Sequence, residues 1–152
     1  MDEINYPWGK GTVKIGYDST ANDSDKTIPV PAGKVWRLLW VAIALNTSAN
    51  AGNRSLRVYI TDGTNIVWST YLGANIAASQ VGTMYLEPDA AANSSARPGP
   101  QSSTSANVSA TYGIPDCLYL PAGCQIRVYD RQAVDAAADD LVIAYGYVEW
   151  DV

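Results

Sequence analysis

The run Lys-Val-Trp-Arg-Leu-Leu-Trp-Val-Ala-Ile-Ala-Leu-Asn at residues 34–46 restricts the fold more than any other feature of this chain. Val35, Leu39, Val41, Ile43 and Leu45 share one parity, and Trp36, Leu38, Trp40, Ala42 and Ala44 share the other, so a strand here is apolar on both faces. Its β-branched and aromatic content, and the Pro31-Ala32-Gly33 boundary before it, favour strand over helix. A strand with two apolar faces is either central between two layers or has its second face covered by another subunit.

The rest of the chain from Lys26 onward alternates short β-like runs with turn residues, at the spacing of a sandwich or barrel. Residues 27–30 form an edge strand, because Pro29 cannot donate to a ladder. Residues 54–72 read as a hairpin about the Asp62-Gly63 turn, with Leu56, Val58 and Ile60 inward on one arm and Ile66, Trp68, Thr70 and Leu72 together on the other. A less regular strand follows at 76–87, then strands at 108–112, 117–120, 125–131 and 141–150. In the last of these Val142, Ala144, Val148 and Trp150 oppose Leu141, Ile143, Tyr145, Tyr147 and Glu149. The expectation is an all-β antiparallel sandwich of roughly eight or nine strands, jelly-roll-like, with at most one helical turn at 133–140.

Two segments depart from that rhythm. Residues 1–25 mix glycines, Pro7, Asn and Asp with isolated aromatics and read as an extended N-terminal arm, leaving 26–152 as a single domain. The loop 88–106 is almost all Ala, Ser, Asn, Pro and Gly and cannot bury enough apolar surface to order itself. An insertion of that length in a compact domain is either a flexible tip or a segment that orders against a partner. Val30-Pro31-Ala32-Gly33 and Leu120-Pro121-Ala122-Gly123 repeat one turn solution at the start of two strands, with Arg37 and Arg127 each four residues on.

Composition removes several functional classes. The chain has no histidine, which excludes Ser-His and Cys-His catalysis and His-ligated metal centres. Its net charge of −5 argues against nucleic acid and anionic membranes, both of which need a basic patch. The N-terminus lacks the basic and apolar regions of a signal peptide, and no apolar run is long enough to span a bilayer. Cys117 and Cys124 are expected to be free thiols of a cytoplasmically made protein, although a hairpin between them could bring them together. Asp135, Asp139 and Asp140 read as a solvated, helix-capping group, and the acidic stretch 18–25 as a polar arm without the Gly and terminal Glu of a calcium loop. No catalytic motif is present, so no cofactor, no metal and no enzymatic activity are expected.

Ten tyrosines and five tryptophans stand without a single phenylalanine. Trp and Tyr join large apolar area to a polar tip, which suits surfaces buried against partners or sugars. The interface candidates are Trp36 and Trp40 on the doubly apolar strand and, on the expected outward faces, Arg57 with Tyr59, Arg127 with Tyr129 near Arg131, and Tyr145 with Tyr147. Half-exposed tyrosines that stabilise cross-strand pairs are the competing explanation.

Residues 31–48, followed by Gly52-Asn53-Arg54-Ser-Leu-Arg-Val-Tyr-Ile-Thr-Asp62-Gly63, resemble jelly-roll structural proteins of tailed bacteriophages. The segments 120–130 and 135–143 are similar to the closing strands of the same group, so the resemblance covers about 28–150. It implies a virion component: a capsid decoration or cement protein, or a head or tail fibre module, made in the bacterial cytoplasm and placed on the outer capsid surface. It further implies the major capsid protein and copies of the chain itself as partners, commonly in a homotrimer, with an arm or loop reaching to neighbours. The alternative is a carbohydrate- or receptor-binding module of a fibre or lectin-like protein, with glycan on the tyrosine faces.

Overall fold

The computed structural model describes residues 9–88, 108–116 and 118–152. Among them ten strands form two sheets facing each other in a sandwich-like arrangement. The strands are β1 Thr12–Asp18, β2 Asp25–Pro29, β3 Lys34–Asn46, β4 Leu56–Thr61, β5 Ile66–Tyr71, β6 Val81–Pro88, β7 Val108–Ile114, β8 Tyr119–Pro121, β9 Gln125–Asp130 and β10 Asp140–Asp151. The six-stranded sheet runs β1-β10-β3-β6-β7, with β8 also paired to β3; the four-stranded sheet runs β2-β9-β4-β5.

The core follows from pleat parity. Leu56, Val58 and Ile60 of β4, Ile126 and Val128 of β9, and Leu141 and Ile143 of β10 alternate inward and are essentially inaccessible, as the sequence pattern requires. In β3 the parity changes midway. The β3–β10 register pairs Trp40 with Gly146 but Leu38 with Tyr147, so Leu39 is an extra residue, a β-bulge. Before it Trp36 and Leu38 point inward; after it Val41, Ile43 and Leu45 do. The strand is apolar on both parities partly because each parity serves the core in turn. A second bulge near Val67, where Ile60 pairs with Trp68 but Thr61 with Ile66, turns Ile66 out to solvent, although it alternates in phase with Trp68.

Three expectations need correction. The sheets are not purely antiparallel: β6 and β7 run parallel, Gly82 opposite Val108 through Pro88 opposite Ile114. Their connection, and with it the 88–106 loop apart from Pro88, lies outside the described residues, as do residues 1–8 and Cys117. Within the stretch read as an arm, Thr12–Asp18 is extended but is a full edge strand, paired with β10 over seven positions. The Asp135 to Asp140 group is no solvated cap. Asp139 is fully buried and receives Arg54 Nε at 2.9 Å and Nη2 at 3.1 Å, with neither side chain accessible to solvent. Asp135 accepts from Ser48 Oγ and Asn50 Nδ2.

The acidic stretch 18–25 closes on a cation supplied by the chain. Lys26 Nζ, its side chain 1% exposed, bonds Asp18 Oδ1 at 3.1 Å, Asp23 Oδ2 at 3.0 Å and the Thr20 carbonyl at 3.0 Å. Burial opposes the charge on Lys26, yet the carboxylates of Asp23 and Asp18 outweigh it and raise its pKa. The two Pro-Ala-Gly turns end up as neighbours. Each is closed by a hydrogen bond, Lys34 N to Pro31 O and Cys124 N to Pro121 O, with Gly33 and Gly123 at φ of +71° and +91°. Val30 and Cys124 then bond across them, so the turns share one end of the sandwich.

Candidate interaction faces

The residues singled out from the sequence separate into three places. Trp36, Tyr145 and Tyr147 stand on the inward side and not on an outward face. Trp36 packs against Tyr147 at 4.1 Å between ring centroids, the planes tilted by 33°, and Tyr147 stacks on Tyr145 at 5.6 Å. They share parity with Leu141 and Ile143, so the core side claims them. The indole N–H of Trp36 donates to Glu149 Oε2 at 2.8 Å, and Lys14 Nζ bonds the other carboxylate oxygen at 2.6 Å. Lys14 first, then Trp36, hold the Glu149 carboxyl below its usual range against the opposing effect of burial. The Tyr145 ring lies over the backbone of β1 where Gly16 leaves room; a β-carbon there would meet the ring at 2.1 Å.

Trp40 belongs to the outer face of the six-stranded sheet. Across that face the registers align Ile15, Gly146 and Trp40 in one row and Tyr17, Ala144, Ala42 and Tyr85 in the next. Val13 and Val148 lie beside them on one side, Val142, Ala44 and Thr83 on the other. None of these outward residues is charged; Arg37, Glu87 and Asp140 mark the ends of the face. The indole of Trp40 lies flat over Gly146, where a β-carbon would come within 2.3 Å of Nε1. With Ala42, Ala44 and Ala144 it makes a low floor, and a hollow of ≈ 390 Å³ opens beside Trp40, Tyr85 and Pro88. Val13, Ile15 and Tyr17 on edge strand β1 are 68%, 73% and 67% exposed. These three were missed in the sequence, although Thr12 to Asp18 alternates polar and apolar without a break. The glycines at 9, 11 and 16 made the segment look irregular.

Arg57, Tyr59, Arg127 and Tyr129 meet on the outer face of the four-stranded sheet. The register places Asp25, Tyr129, Arg57 and Tyr71 in one row and Thr27, Arg127, Tyr59 and Ser69 in the next. Tyr59 and Tyr129 contact edge to face at 5.3 Å. The Arg127 guanidinium lies 4.7 Å over the Tyr129 ring and that of Arg57 5.5 Å over Tyr71. Arg57 Nη1 donates to the Tyr59 hydroxyl at 3.3 Å, while its buried Nε finds no acceptor among the described residues. Arg127 is paired with Asp25, Nε to Oδ1 at 3.0 Å. The hydrogen bond from Tyr129, then the one from Arg57, lower the pKa of Tyr59; burial first, and then Tyr59 itself, raise that of Tyr129. Tyr71 completes this face and was not singled out, because only the β4–β5 register brings it beside Arg57.

Among the described residues no group of three or more His, Cys, Asp or Glu is arranged to hold a metal ion. Cys124 is buried, and burial pushes its thiol pKa up. The chain matches no known family model, no curated protein and no solved structure.

Proposed function

We propose that this chain is a non-enzymatic structural protein of a virus particle: a capsid decoration or cement protein of a tailed bacteriophage, made in the host cytoplasm. In this reading it binds the major capsid protein on the outer surface of the head and associates with copies of itself as a homotrimer. The carrying observation is the uncharged apolar outer face of the six-stranded sheet, bordered by the exposed edge strand β1. A chain of net charge −5 repels its copies wherever like charges meet, and this face presents none. Burying roughly 800 Å² per partner, the size of an ordinary specific interface, covers a face of this kind. Many such contacts repeated by symmetry add up through multivalency, which is how a cement protein stabilises a shell.

The strand order supports the finer fold reading. With β7 and β8 set aside, the sheets run β1-β10-β3-β6 and β2-β9-β4-β5, the interleaving expected of a jelly roll. Viral capsid proteins and lectins share that architecture, so on this point the support is fold analogy and no more.

Two measurements test the proposal. Sedimentation of the full chain should give an assembly that Ala144→Glu, placed at the centre of the face, reduces to monomers. Mass spectrometry of purified particles should find the protein in numbers comparable to the major shell protein. A wild-type monomer at micromolar concentration removes the self-association, and absence from particles removes the capsid role.

A further inference from the structure

We propose that the outer face of the four-stranded sheet, centred on Arg57, Tyr59, Arg127 and Tyr129, docks a carboxylate-rich protein surface. This assignment uses the opposite side of the sandwich from the self-association face, and it stands or falls separately from the capsid reading.

Charge segregation comes first. Three of the chain's six arginines, Arg57, Arg127 and Arg131, lie on or beside this one face of a molecule whose net charge is −5. Asp25 is the carboxylate that answers them there, and it is engaged with Arg127. Among the described residues, the hydrogen bond of Arg57 goes to a neutral phenol of its own sheet. A face that is positive on an otherwise acidic protein repels its own copies and attracts an acidic partner, raising the encounter rate as well as fixing orientation.

Preorganisation is the second observation. Arg57 and Arg127 each rest over a tyrosine ring, and Arg57 is further held by the Tyr59 hydroxyl. A guanidinium already fixed by ring and hydroxyl loses little side-chain entropy when a carboxylate takes its free N–H groups in a bidentate pair.

The same geometry selects the class of partner. Stacking on a sugar needs an open ring face, and here one face of each of the Tyr71 and Tyr129 rings is taken by the chain's own guanidiniums while Tyr59 meets Tyr129 edge to face. Tyrosine and arginine held against one another, with Arg57, Tyr59 and Tyr129 half-buried, are instead the composition of a protein interface centre.

The test uses the full chain at neutral pH and low salt, with poly-L-glutamate as the carboxylate probe and polygalacturonate as the matched sugar polyanion. Poly-L-glutamate should bind with an affinity that falls as salt rises, and polygalacturonate should bind about tenfold more weakly or worse. The double change Arg57→Gln with Arg127→Gln should lower poly-L-glutamate affinity by at least about tenfold, with the sedimentation behaviour unaltered. If the double variant fails to fold, Arg131→Glu, at an exposed side chain, gives the same reading through charge reversal. Absence of poly-L-glutamate binding, binding indifferent to these changes in folded protein, or polygalacturonate binding as tight as poly-L-glutamate would each overturn the proposal.

Discussion

On the outer side of the six-stranded sheet, cross-strand neighbours are Ala42 beside Ala144 and Trp40 beside Gly146; on the outer side of the four-stranded sheet they are Arg57 beside Tyr129 and Tyr59 beside Arg127. Each row lies on the outer side of its own sheet and has the packed core behind it. In the first, small residues leave a flat uncharged floor that gains from being covered and has no means of repelling itself. In the second, guanidiniums and phenols already engage one another, so the surface is stable in water and selective in what it accepts. Apolar faces favour copies, whereas charged aromatic faces favour a partner of opposite sign.

If both faces serve contact and the interior serves the fold, changes in the two places separate cleanly. The largest effect belongs to the interior: Asp139→Asn leaves the fully buried Arg54 without its counter-charge and should cost about 3–5 kcal/mol in urea unfolding. Burial alone would raise the Asp139 pKa, but the bonds from Arg54 and the Ser48 N–H outweigh it and lower it. A carboxyl depressed in the folded state stabilises fully above its unfolded pKa of about 3.9, and that contribution is lost as pH falls through the lower folded value. Asp139→Asn should therefore flatten the acid limb of the stability curve; an unchanged limb would show that other carboxylates set it.

Next comes the apolar face. Ala144→Glu or Ala42→Glu should weaken self-association by about a hundredfold or more, roughly 2.7 kcal/mol, while monomer unfolding moves by less than about 1 kcal/mol. A fall in stability as large as that of Asp139→Asn would mean that the face is part of the fold and not a contact surface.

The phenol pair sharpens the other side. Tyr59→Phe removes the acceptor for Tyr129 and Arg57 and should cost about 1 kcal/mol. In ultraviolet titration the phenol ionising below the usual value of about 10 should vanish, and Tyr129 should titrate closer to that value. Two unaltered titrations would dissolve the coupling. The smallest effect is expected at Tyr71→Ala, where loss of the exposed contact with Arg57 should cost about 0.5–1 kcal/mol by thermal unfolding.

Local pattern made much of this legible. The 54–72 hairpin is visible in alternation and in Asp62, whose Oδ1 accepts the Thr64 and Asn65 N–H groups within its own turn. The outward grouping of Arg57, Tyr59, Arg127 and Tyr129 follows from parity alone, since β4 and β9 keep their phase from end to end. The same parity placed Tyr145 and Tyr147 with Leu141 and Ile143, but reading them as outward ignored which side of β10 the second sheet would cover. Trp36 went astray for another reason: the bulge at Leu39 changes phase within β3, and nothing in a run apolar on both parities marks where an extra residue is inserted.

What the sequence determined by itself is therefore what neighbouring residues decide among themselves: strand content, hairpin turns, the absence of histidine chemistry and the alternation within each unbulged strand. Tertiary structure decided the parallel β6–β7 pair, the β1 edge, the capture of Asp139 by an arginine 85 residues away, and which apolar parity of β3 the core would take. Those depend on which strands come together. Pairing and burial are settled by contacts distant in the chain, whose free energy no local pattern carries.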